Sequence, residues 1–476
     1  MRRISRRIIT ASAIAVCLTG TYVSASEPVN PRTMTFAPMQ YEIPKAERFT
    51  LANGMVVYLM SDRELPLVNV TAYVGTGSIY EPAEKSGLAG IMAAVMRSGG
   101  IAGSTPERLD AELEFMASAV ECSIGADLGN ASFSTLRKNF DRTLELFAGV
   151  LMKPAFDQAR FELAIKKSIE ALRRQNDDPK GVADRELRRT IYAGNPLGRY
   201  PTPASVRAVS RNDLVAFHSK YYHPDNIILA VSGDITRGEL EEKLSAVFGS
   251  WSKAAVELPK IPWPDLTMKP EMLVVRKEID QSVIRMGHIG ITKDNPDLYA
   301  IRVMDYILGG NGFNSRLMTE VRTNEGLAYH VASYFDIGRK FPGIFLAETE
   351  TKSGSTARTI DLMLGLMTVM TQQPVTEQEL KLAKESMINS FVFGFTKPDM
   401  IVNQRARLEY YGYPGEYLER YRDNIARVTR DDVLRVAKEY LHPDRLIKVV
   451  VGNEEKFDKP LARFGQVRQI QLETGR

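Results

Sequence analysis

A chain of 476 residues exceeds what one hydrophobic core usually serves, so two or more domains are expected. With 44% hydrophobic and 25% charged residues the composition is that of a soluble globular protein, neither disordered nor membranous. The formal net charge of +4 carries no nucleic-acid footprint, because the four arginines of "MRRISRR" account for it: without them Lys+Arg falls from 62 to 58, against 58 Asp+Glu.

That basic start is followed by the apolar "IITASAIAVCLTG" and by "VSA" before Ser26, the pattern of a cleavable export signal over residues 1–25. The expected location is therefore outside the cytoplasm, in the periplasm. Thr10 and the generic apolar run favour Sec export over a twin-arginine route, and Val16 is too bulky to precede a lipid-modified Cys17. No later stretch approaches the ~18 continuous apolar residues of a membrane span. Cys122 is the one cysteine left after cleavage, so no internal disulfide is expected.

Along the rest of the chain strands alternate with long helices. The strand "LVNVTAYV" leads to a helix at 87–97, and "FSTL" precedes the helical "FDRTLELFAGVLM". After the proline-rich "SKAAVELPKIPWPDLTMKP" the order returns: "SVIRMGHI" leads to "LYAIRVMDYIL", and "GIFLAETET" precedes "ARTIDLMLGLMTVM". The duplication is explicit at one place, where residues 209–234 align without gaps on 428–453, both containing Tyr-x-His-Pro-Asp. We expect an α/β (α+β) fold of two homologous domains, each a mixed sheet packed with long helices, enclosing a cleft. The first domain spans 26–250, the linker 251–270 and the second domain 271–476.

The search for chemistry is mostly negative. There is no G-x-S-x-G elbow, no Walker A loop, and "GGNGFNS" fails the dinucleotide fingerprint. The five histidines, His218, His223, His288, His330 and His442, include no pair at metalloprotease spacing. His223 and His442 belong to the repeated His-Pro-Asp turn and read as structural. Cys122, in "AVECSIG", reads as a buried filler.

"LANGMVVYLM" followed by "LPLVNVTAYVGTGSIYEPAEKSGLAGIMAAVM" resembles the start of the pitrilysin/insulinase family of zinc peptidases, the inverzincins. Leu51, Asn53, Gly54, Gly77, Ser78, Glu81, Pro82, Gly87, Leu88 and Ala89 match the frame that leads into H-x-x-E-H. At the motif itself Gly90 and Ala94 stand where the family has its histidines, and Ala93 where it has its glutamate. The family's third ligand is a glutamate further along; Glu170 falls at that distance, though a one-residue shift would put Ala171 there, and one carboxylate alone cannot hold catalytic zinc. "NSRLMTEVRTNEGLAYHVASYFDIG" is similar to the family's second-domain signature, in which an arginine and a tyrosine face the cleft; here these are Arg322 and Tyr329. The residues read locally as a helix started by Ser315 and stopped by Gly326, then a strand.

The resemblance implies no catalytic residue and no metal ligand in this chain, and substrate contact through Arg322 and Tyr329. Some bacterial members resemble this arrangement: two chains pair, one carrying zinc and the other the Arg/Tyr element, as in mitochondrial processing peptidase. The implied protein is a zinc-less subunit, inert alone, that binds no cofactor and serves a zinc-bearing partner of the same family in hydrolysing unfolded peptides. The alternative is a structural or peptide-binding pseudopeptidase with no peptidase partner.

Overall fold

The structure is a computed structural model describing residues 41–267, 269–310 and 312–472. The export signal expected over residues 1–25 lies outside the described residues. No helix among them is long and apolar enough to cross a membrane.

Among the described residues twelve strands form two six-stranded sheets. The first sheet contains β1 (Glu47–Thr50), β2 (Val56–Ser61), β3 (Leu67–Val74), β4 (Ala119–Ile124), β5 (Gly129–Leu136) and β6 (Ile227–Gly233), in the order β1-β2-β6-β3-β5-β4. The second contains β7 (Glu271–Arg276), β8 (Gln281–Ile289), β9 (Ala328–Phe335), β10 (Ile344–Lys352), β11 (Ile447–Gly452) and β12 (Val467–Gln469), in the order β12-β7-β11-β8-β10-β9. Five strands correspond pairwise, and in both sheets the corresponding parallel pair, β2 with β6 or β7 with β11, is followed by an antiparallel strand, β3 or β8. The copies differ at one edge, where β1 runs antiparallel to β2 but β12 runs parallel to β7.

The repeated segment shows how the sequence sets this geometry. Ser210 and Thr429 each close a capping box, with Asp213 and Asp432 three residues on, and so start the helices Arg211–Tyr221 and Arg430–Tyr440. Pro224 and Pro443 then open short 3-10 turns that deliver the chain into β6 and β11. Strand β11 is buried at all six positions, as a strand covered on both faces must be.

What covers those second faces comes from the opposite half of the chain. The helix Pro179–Ile191 lays Val182, Ala183, Leu187 and Ile191 against Leu273, Val275, Val449 and Val451 of the second sheet. Gly287 permits the approach: a Cβ there would stand 3.2 Å from Leu187 Cδ2. Reciprocally, Val402 and Ala406 of the helix Pro398–Tyr410 pack on Tyr73 and Ala230 of the first sheet. Tyr73 donates its hydroxyl to Asn403 Oδ1 at 3.0 Å, and Arg48 pairs with Glu409 at 2.7 Å. Residues 251–267 and 269–270 carry neither helix nor strand. Asn195 and Phe341, from opposite halves, pin that stretch through the Pro262 carbonyl at 2.8 Å and the Trp263 ring at 6.1 Å.

Two helices depart from expectation. "LYAIRVMDYIL" is α-helical only over Leu298–Asp305 and becomes a π-helix at Tyr306–Gly310; the helix begun near Ser315 is π-helical over Met318–Asn324. Ser315 does accept from the Met318 N–H at 3.3 Å, and Gly326 stops the helix in the left-handed region at φ 61°.

Candidate functional site

The turn after β3 builds the first candidate element. Gly77 passes so near the following hairpin that a Cβ there would lie 2.0 Å from the Ala126 carbonyl oxygen. Glu81, buried, then turns its carboxylate onto the start of the next helix. It accepts from the Gly87 N–H at 2.8 Å, the Ala89 N–H at 2.9 Å and the Ser86 hydroxyl at 3.2 Å. Burial pushes its carboxyl above the usual range, against those bonds. Gly87 enters the helix in the left-handed region at φ 105°.

The helix itself, Leu88–Ser98, buries Leu88, Ala89, Ile91, Met92, Ala93, Val95 and Met96. Gly90 and Ala94, one turn apart, share its exposed face. No heavy atom lies within 4 Å of the place a Gly90 Cβ would take. The surface is open at the positions where imidazoles would project. Zinc needs nitrogen, sulfur or carboxylate donors, and Gly90, Ala93 and Ala94 offer none, so these residues do not fit the metal. Glu170, on the helix Gln158–Arg174, is exposed and lies 3.5 Å from Arg173 and 3.4 Å from Arg174. Among the described residues no three His, Cys, Asp or Glu side chains gather where they could hold a metal ion.

The other candidates are spent on structure. His218 donates from Nε2 to the Leu151 carbonyl at 2.8 Å, stacks on Tyr222 at 4.6 Å, and is pushed down to about 4 by burial, so it is neutral. His223 donates to the Ser219 carbonyl at 2.9 Å. His288 is buried, likewise pushed down to about 4, and lies 5.2 Å from His442. His330 sits 3.7 Å from Glu348. Burial raises the Cys122 thiol to about 12, which makes it a poor nucleophile.

Arg322 and Tyr329 come together. The π-helical turn carries Arg322 and β9 carries Tyr329, and the guanidinium carbon lies 4.6 Å from the centre of the Tyr329 ring. Phe313 supplies a second ring at 4.6 Å, so the cation has two aromatic neighbours. These rings replace the usual salt bridge: no carboxylate is within ion-pair distance of Arg322 among the described residues. Tyr329 is 82% exposed and Phe313 67%. A guanidinium and a phenol therefore stand side by side at the surface, a donor set suited to a carbonyl or an oxyanion. Phe313 escaped the sequence reading. It lies in "GGNGFNS", and one aromatic in a glycine-rich turn gives no periodic signal.

The chain as a whole is similar to proteins of one family. The family model described as "Insulinase (Peptidase family M16)" matches residues 56–201, and that described as "Peptidase M16 inactive domain" matches 208–387. The chain is 22% identical over 370 residues to a Bacillus subtilis protein named "Uncharacterized zinc protease YmxG", covering 76% of this chain and 88% of that one. It is 24% identical over 328 residues to the "Non-peptidase homolog YmxG" of Helicobacter pylori, covering 67% and 74%. The solved structure of a peptidase M16 inactive domain from Pseudomonas fluorescens superposes with a TM-score of 0.77 at 25% identity, covering 86% of this chain and 98% of that one.

Proposed function

The chain belongs to the insulinase family, peptidase M16, and from that premise we propose that it is the zinc-less subunit of an exported two-chain metallopeptidase. A partner subunit of the same family carries the zinc. This chain presents Arg322 and Tyr329 to an unfolded peptide held as an added strand at a sheet edge. The outer strands β4 and β9 each pair on one side only among the described residues. The observation that carries the reading is the cluster at Arg322: a guanidinium beside two exposed rings, with no side-chain or backbone acceptor taking its donors among the described residues. The basic-then-apolar N-terminus supports export.

In this reading the guanidinium and the phenol donate hydrogen bonds to the scissile carbonyl as negative charge develops on its oxygen. Both groups are already positioned, so the reaction step requires little reorganisation. The Phe313 ring keeps the guanidinium from swinging into solvent.

The test is to mix the purified chain with a zinc-bearing relative from the same genome and follow cleavage of an unstructured fluorogenic peptide. The mixture should exceed either chain alone, and Arg322→Ala should lower its rate by about 10²–10³-fold, as loss of an oxyanion donor does. A mixture no faster than the zinc-bearing chain alone would overturn the reading. It would favour a pseudopeptidase, to which the name of the H. pylori relative points.

A further inference from the structure

Away from Arg322 and Tyr329 the second half of the chain contains a cavity of about 510 Å³ that neither the family motifs nor the proposed peptidase role uses. Three arginines line it, Arg302, Arg339 and Arg407, and no aspartate or glutamate does. Five of the eleven other lining residues are aromatic. Tyr413 and Tyr417 meet edge to face at 4.6 Å, and Phe391 stacks on Tyr421 at 4.7 Å with the rings 10° from parallel.

Arg302 is the anomaly. It projects from the helix Leu298–Asp305, is largely buried, and its Nε has no hydrogen-bond partner. Its contacts are tyrosines: Nη2 lies 3.4 Å from the Tyr417 hydroxyl, and the guanidinium meets the Tyr421 hydroxyl and lies 5.7 Å from the centre of that ring. Among the described residues no carboxylate reaches ion-pair distance of it. Two acids on the neighbouring helices are committed elsewhere, Glu409 to Arg48 and Glu419 to Arg405. A buried cation without a counter-charge is costly, and evolution usually removes it or supplies an anion.

We propose that this cavity is a binding site for a small organic anion with a flat ring, a carboxylate or phosphate group on an aromatic body. The anionic group would take two N–H groups of the Arg302 guanidinium, the unpartnered Nε–H becoming reachable as the side chain turns to the ligand, in the fork geometry arginine offers to planar oxyanions. The ring would lie among the tyrosines and Phe391, and Arg407 and Arg339, both exposed, would draw the anion inward. The volume falls within the range of small-molecule sites.

Titration calorimetry on the whole chain tests this with three probes of one shape: benzoate, phenyl phosphate and the neutral benzamide. Saturable binding of either anion, with benzamide at least about tenfold weaker, is expected, and the two anions distinguish carboxylate from phosphate recognition. Arg302→Gln should weaken the anion by tenfold or more. Should that buried substitution fail to fold, Arg407→Gln at the exposed mouth is expected to weaken it several-fold and to reduce its salt dependence. The proposal fails if neither anion saturates, if benzamide binds equally, or if a folded Arg302→Gln chain or the Arg407→Gln chain binds the anions like the parent. None of these outcomes depends on a peptidase partner.

Discussion

Asp305 ends the α-helical part of the helix that also carries Arg302, and it holds β9 in place. Its carboxylate accepts from the Ser333 hydroxyl at 2.7 Å and from the Phe335 N–H at 3.2 Å, both on the strand that presents Tyr329. No cation pairs with it among the described residues, and burial raises it from 3.8 to about 6. The folded-state value lies above the unfolded one, so the contribution of this group to stability is fully present below about 3.8 and is lost as pH rises through about 6. A displacement of that size corresponds to roughly 3 kcal/mol. Asp305→Asn keeps both contacts, because the amide oxygen can accept from Phe335 and the amide N–H can donate to Ser333, but it removes the ionisation. The variant should match the parent near pH 4 and exceed it at pH 7.5 by on the order of 1–3 kcal/mol. Denaturant unfolding at the two pH values, with the difference between the proteins as the readout, cancels every other titrating group. Equal destabilisation of the variant at both pH values would refute the argument, since it would mean that the ionised carboxylate is what β9 requires.

Two further outcomes test the emptied helix. Gly90→His with Ala94→His should leave the fold intact, since both positions are exposed and helical. With zinc at about a hundred times the dissociation constant, the folded state should gain about 2.7 kcal/mol, seen as a chelator-reversible rise in melting temperature. No zinc-dependent rise would show that this face is not open. Glu81→Gln replaces one of two accepting oxygens by a donor that faces backbone N–H groups, so it should lower stability by about 1–3 kcal/mol in denaturant unfolding. An unchanged midpoint would place the anchoring of this helix in its apolar face alone.

Much of the architecture was legible because local signals agree with the final fold. "LVNVTAYV" is β3 residue for residue, and the duplicated Ser/Thr-x-x-Asp capping boxes announce the same helix start twice. The exchange of helices between halves was not legible. Val182, Leu187 and Ile191 mark an apolar face, but an apolar face does not say which sheet it will cover. The π-helical turn at Met318–Asn324 was equally hidden, because its backbone pairing is decided by packing rather than by any side-chain period. At the candidate site Arg322 and Tyr329 were readable through their motif, whereas Phe313 and Arg302 acquire meaning only from what surrounds them.

The contrast between the two candidate elements bears on which features of such a chain are informative about activity. The helix Leu88–Ser98 persists for reasons independent of catalysis: its apolar side chains sit in the core, and Glu81 and Gly87 fix its start. Replacing exposed ligands on it by Gly and Ala removes no packing, so the frame can outlive the chemistry at small cost to folding. Tyr329 and Phe313 are in the opposite position. Each leaves a large ring mostly in solvent, where it adds little to the core, and together they confine a guanidinium that would otherwise be free. Folding alone does not account for three such side chains meeting across a π-helical turn, a loop and a strand, and this is what supports the proposed substrate contact there.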